Sequence, residues 1–197
     1  MDKKKKIIID TDPAMGTKGG DPEDCFAIMM ALNSPELEVM GITTVQGNVP
    51  VERGYSNAAY LLNEFNRDIP LKAGPSHTID KERNKERVWL SQREDMEQLT
   101  PLLKPDRDKQ DAASFIYESC KQNSGEIELV TIGPLTNIAI AISNYPDLKR
   151  IVVLGACALP NTRAWEVMLA AGGVVSDETL VARAAAVNIA DPLMVLY

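Results

Sequence analysis

Short apolar runs alternate with amphipathic ones along most of this chain. Residues 6–10 (KIIID) predict a strand, 22–33 (PEDCFAIMMALN) a helix and 37–45 (LEVMGITTV) a second strand. In 51–66, Val51, Tyr55, Ala58, Leu62 and Phe65 recur at steps of four and three, which predicts one apolar helical face. Further on, 69–74 predicts a short strand, 111–122 a helix, 126–133 a strand, 135–144 a helix and 149–156 a strand. Strands this uniformly apolar are buried on both sides. The alternation therefore predicts an α/β fold: a mostly parallel open sheet with helices on both faces, Rossmann-like.

Two stretches depart from the pattern. Residues 79–110 are densely charged and read as a surface excursion, partly helical over 82–99. Residues 157–187 hold two helical patterns around Gly172 and Gly173. The whole of 1–197 is expected to be a single domain.

Composition narrows the function classes. With 45% apolar and 25% charged residues over 197 positions, the chain can bury a full α/β core. A net charge of −7 argues against nucleic acid or an anionic membrane as partner. The basic run Lys3–Lys6 reads as a solubilising flank before an edge-exposed strand start. No apolar run approaches the ~18 residues of a membrane span, and Asp10 ends the first run too early for a signal peptide. Cys25, Cys120 and Cys157 form no paired motif and read as reduced thiols, so a cytoplasmic setting is expected. The single histidine, His77, lies in a loop-like stretch, which leaves little basis for a histidine-dependent nucleophile.

The stretch DTDPAMGTKGGDPED (10–24) carries five carboxylates directly after the first predicted strand. Part of this is ordinary helix chemistry: Asp21 would cap a helix starting at Pro22, with Glu23 and Asp24 in its first turn. That account leaves Asp10 and Asp12 unexplained against a hydrophobic strand. In an open parallel sheet, ligands bind beyond the carboxyl ends of the strands. The ends near Asp10 and Asp12, near Gln46 and Asn48, and near Ile132 and Gly133 should share one crevice. Oxygen donors without Cys or His suit a hard cation, calcium or magnesium.

IIIDTDP, the acidic pair in EDCFAIMMAL, GITTVQGN and IGPLTNIAIAI, in this order, resemble the nucleoside hydrolase family of the inosine–uridine-preferring type. The likeness spans about residues 5–156, with an echo in VNIADP (187–192). It implies a nucleoside hydrolase-like sheet and hydrolysis of the N-glycosidic bond of ribonucleosides, a reaction of purine and pyrimidine salvage, with bound Ca2+ as cofactor. By the resemblance, Asp12 is a calcium ligand and the general base, Asp24 a second ligand, and Ile132 a ligand through its carbonyl. Glu23, where the family has Asp, Asn48 and Asn188 would hold the ribose, and Asp10 would support the loop. Carboxylates at such a site stabilise the positive sugar that forms as the bond breaks. Ala186 and Val187 replace the family's Glu-Phe pair, and the chain ends at Tyr197, short of the family's last calcium ligand and its histidine. The expectation is thus a domain incomplete at its C-terminus, weakly active or inactive, and self-associating as a homo-oligomer. Two alternatives remain: a haloacid-dehalogenase-type phosphatase with Asp10 as nucleophile, and a non-catalytic nucleoside hydrolase-like binding protein.

Overall fold

In the computed structural model, five parallel strands form one sheet in the order β3-β2-β1-β4-β5. The structure describes residues 3–17, 20–77, 101–106 and 110–148, and the backbone of 153–157. The strands are β1 (Lys5–Thr11), β2 (Leu37–Thr44), β3 (Leu71–Ala73), β4 (Ile127–Thr131) and β5 (Val153–Cys157). The helices are α1 (Glu23–Asn33), α2 (Val51–Glu64), α3 (Ala112–Gln122) and α4 (Thr136–Asn144). The predicted mostly parallel sheet with flanking helices is what the backbone forms.

β1 is central, between β2 and β4, so its Ile7, Ile8 and Ile9 are buried on both faces. Ile8 packs with Phe115, Ile116 and Cys120 of α3 and Ile138 and Ile142 of α4. Ile7 and Ile9 point the other way, with Ala31 of α1. On that side Cys25, Ile28 and Leu32 of α1 meet Ala58, Leu61 and Leu62 of α2 over Ile42. An irregularity between Ile7 and Ile8 steps over Met40 in the β1–β2 register. It brings Gly41 under Phe115, whose Cε1 would lie only 2.7 Å from a Cβ there.

Local chemistry explains the helix boundaries unevenly. Asp111 caps α3 by accepting the N–H of Ser114 at 2.8 Å, and Lys121 sits favourably in its last turn. α1 begins differently from expectation. Pro22 itself is the N-cap residue, in a helical conformation and without a side-chain cap, so exposed Asp21 does not cap the helix.

Two other expectations change. Tyr55 and Phe65 are only half-buried, whereas Arg53, Gly54, Ser56, Asn57 and Leu61 of α2 are buried. Loop contacts cover this second face: Asn57 donates to the carbonyls of Pro13 at 2.9 Å and Met15 at 3.1 Å, and Ser56 Oγ accepts the N–H of Leu103 at 2.8 Å. The basic run does not precede an edge strand but the central one. Lys3 and Lys6 reach Glu126, and Lys5 reaches Glu128, which joins the start of β1 to that of β4. Finally, apart from 101–106 and 110, the charged excursion 79–110 lies outside the described residues, as do 158–197 and with them Asn188.

β1, β2 and β3 step one way across the sheet, and β4 and β5 step the other way. The direction reverses beside β1, between its carboxyl end and that of β4. This is where an open parallel sheet leaves a crevice for a ligand.

Candidate functional site

At this reversal the chain leaves β1 through Thr11 and Asp12. Asp12 is 4% exposed and Asp24, the second residue of α1, is 5% exposed. Asp24 Oδ2 accepts the Thr11 hydroxyl at 2.6 Å and the Asp12 N–H at 3.0 Å. Asp24 Oδ1 takes part in neither bond. Asp12 Oδ2 in turn accepts the N–H of Asn48 at 2.5 Å. The end of β1, the start of α1 and the loop after β2 are thereby fastened around two carboxylates.

Glycines permit this closeness. A Cβ on Gly47 would collide with the Asp12 carboxylate, and one on Gly133 would lie 2.7 Å from Val45 Cγ1 and 3.0 Å from Asp12 Oδ1. Backbone from β2 and β4 can approach Asp12 only without a side chain at these positions.

Asp10 is fully buried. Its Oδ1 accepts the Thr43 hydroxyl at 2.6 Å and the Asn137 amide at 2.8 Å. Its main-chain carbonyl accepts the N–H groups of Ile132 at 2.9 Å and Gly133 at 3.1 Å. Burial pushes its carboxyl up to about 7, against the opposing pull of the Thr43 and Asn137 hydrogen bonds. A side chain so enclosed and so bonded cannot serve as an accessible nucleophile, which removes the phosphatase reading built on Asp10.

Glu23 is half-buried, and its Oε2 has no hydrogen-bond partner among the described residues. Burial, then a hydrogen bond with Asp21, pushes its carboxyl up to about 8. A bond between two carboxyls requires a proton shared between them.

A profile of the family described as "Inosine-uridine preferring nucleoside hydrolase" matches residues 7–171. The chain belongs to this family. Among nucleoside hydrolase relatives, the non-specific ribonucleoside hydrolase RihC of Klebsiella pneumoniae (strain 342) is 36% identical over 163 residues, covering 77% of this chain and 49% of its own length. Probable uridine nucleosidase 2 of Arabidopsis thaliana is 36% identical over 166 residues, with 80% and 49% covered. The chain spans about half the length of these curated relatives. Of solved nucleoside hydrolases, a plant enzyme superposes with a TM-score of 0.63 at 26% identity, over 86% of this chain and 57% of its own. A purine-preferring ribonucleoside hydrolase from Gardnerella vaginalis gives 0.57 at 27%, over 78% and 49%.

Within this nucleoside hydrolase frame the sequence-predicted residues separate clearly. Asp10, Asp12, Asp24, the Asn48 backbone and the Ile132 turn come together; Glu23 borders them. Gln46 does not simply line the crevice, because its Oε1 accepts the Val51 N–H at 3.0 Å and so caps α2. His77 is exposed. Among the described residues no three Asp, Glu, His or Cys side chains gather into a metal-binding group. The donors that the family resemblance implies are two carboxylates and the carbonyl of Ile132. They fit a hard cation chemically: every donor is oxygen, and the unpaired, enclosed Oε2 of Glu23 marks acidic groups crowded beside them.

Sequence reasoning passed over Thr11, Thr43, Gly47 and Asn137. IGPLTN drew attention as a motif, but its last residue is the one that reaches Asp10. The available signal was an Asn in the first turn of an otherwise apolar helix.

Proposed function

We propose that this protein hydrolyses the N-glycosidic bond of ribonucleosides with Ca2+ as cofactor. The observation that carries the reading is the pairing of Asp12 and Asp24 at the sheet's reversal point, joined by the Asp12 N–H to Asp24 Oδ2, in a chain of this family.

Asp12, Asp24 and the Ile132 carbonyl would hold the ion. When bound there, calcium supplies positive charge that makes a neighbouring water more acidic. Asp12 accepts a proton from the attacking water, and the Asn48 N–H on its Oδ2 holds the carboxylate in one orientation. Glu23, Asn48 and Asn188 bind ribose hydroxyls and hold the sugar over the carboxylates. The C1′–N bond breaks with its electron pair leaving on the base, and the acidic site stabilises the sugar as it becomes oxocarbenium-like. Asp10 supports the loop. Residues 1–197 are taken as one domain acting in nucleoside salvage in the cytoplasm as a homo-oligomer; among the described residues no helix is long and apolar enough to cross a membrane.

Ribose release from inosine and uridine, measured with calcium and with chelator, tests the reading. The expected result is calcium-dependent release abolished by Asp12→Asn. Folded wild-type protein releasing no ribose from either nucleoside would overturn it.

A further inference from the structure

We propose that Asn137 is a positioning residue for the cation site, holding the Ile132 carbonyl and the Asp12 carboxylate in register through Asp10. This inference rests on the proposed function, because it concerns the ion that the reading requires.

Asn137 lies in the first turn of α4 and is fully buried. Its Nδ2 donates to Asp10 Oδ1 at 2.8 Å and to the carbonyl of Thr44 at 3.0 Å. The segment 132–137 is thus tied to Asp10 at both ends. At its start, Ile132 and Gly133 donate main-chain N–H groups to the Asp10 carbonyl. At its finish, Asn137 grips the Asp10 side chain. The Ile132 carbonyl and the Gly133 N–H belong to one planar trans peptide and point in opposite directions. Aiming that N–H at Asp10 therefore aims the carbonyl away from it. The same peptide lies against Asp12, since a Cβ on Gly133 would be 3.0 Å from Asp12 Oδ1. Asp10, two residues before Asp12, is the common anchor of both donors.

The surroundings favour positioning over filling. Asn137 Oδ1 has no partner among the described residues. An unpaired buried oxygen is costly, and an apolar residue of similar size would avoid it. The fold tolerates the cost and keeps the NH2 group on Asp10. β3 also makes room for this amide: a Cβ on Gly74 would run into Asn137 Oδ1 and lie 2.7 Å from its Cγ. Gly74 donates its own N–H to Thr44, at 2.9 Å, the carbonyl that Asn137 also uses.

The test is calcium affinity by calorimetry on wild type, Asn137→Ala and Ile116→Val, the last a buried α3 change that touches none of the proposed donors. Residues that orient metal ligands typically alter affinity by about 10- to 100-fold when removed. Asn137→Ala should raise the calcium Kd by about tenfold or more, while Ile116→Val lowers the calcium-free melting temperature but leaves Kd within about twofold. Gly74→Ala, which displaces the amide without deleting it, should also weaken calcium. Wild type that binds calcium alongside a folded Asn137→Ala of equal Kd overturns this inference and leaves the functional reading standing. Wild type that binds no calcium overturns both. If neither Asn137→Ala nor Gly74→Ala folds, Asn137 is a stability element and the inference is overturned.

Discussion

Asp24 holds Asp12 by its backbone: Oδ2 of the first accepts the N–H of the second at 3.0 Å. One carboxylate thereby fixes the chain that presents the other, and the Thr11 hydroxyl completes the clasp at 2.6 Å. The helix start and the strand end cannot move independently while these bonds last.

Removing the clasp should have two separable effects. Asp24→Ala leaves two buried donors without their acceptor, and each such group costs about 1–3 kcal/mol. We predict a lower melting temperature in chelator and no further rise on adding calcium at millimolar concentration. Thermal denaturation of wild type and variant with and without calcium reads both effects. A variant that keeps the wild-type calcium shift would show that Asp24 is no ligand.

Gly47 should be intolerant of even a methyl group. Its Cβ would occupy the space of the Asp12 carboxylate, so Gly47→Ala must push that carboxylate aside or tilt the loop. A displacement of about 1 Å at a reacting group can cost about 100-fold in rate. We predict a loss of that order in kcat with the fold retained by circular dichroism. Unchanged kcat would mean that Asp12 does not need its present position.

Glu23 is one methylene longer than the Asp expected from the family resemblance, and it shares a hydrogen bond with exposed Asp21. We predict that Glu23→Asp shortens the reach, releases Asp21 and binds a ribose analogue more tightly. Calorimetry giving equal or weaker binding would count against Glu23 as a ribose contact.

Cys120 of α3 packs in the core with α4, and burial pushes its thiol up to about 12. The folded state therefore keeps the proton that the unfolded chain loses near 9.0. This contribution to stability is complete below about pH 9 and is lost as pH rises through about 12. We predict that Cys120 resists alkylation in the native protein at pH 8 and becomes labelled only as the chain unfolds. Peptide mapping that finds Cys120 modified at pH 8 without unfolding would contradict its burial.

Much of the architecture was legible because hydrophobic periodicity records which faces are covered. Ile7, Ile8 and Ile9 form an unbroken apolar run because a central parallel strand has no solvent face. Asp10 and Asp12 stood out for the same reason, as charges placed where that run ends. What periodicity cannot record is which distant segment does the covering. The buried polar face of α2 depends on the loop at Pro13 and Met15 and on Leu103. The lysine run finds its partners at the start of β4, more than a hundred residues later.

The sequence by itself determined the strand and helix types and the acidic strand end. These follow from local properties: burial pattern and charge. Only the tertiary structure decided that β1 lies between β2 and β4, and that Asn137 meets Asp10 across 127 positions. It also turned Asp10 from a possible nucleophile into an enclosed anchor. A hydrogen bond between residues so far apart has no local signature, because its geometry exists only after the sheet has assembled and brought the strand ends together.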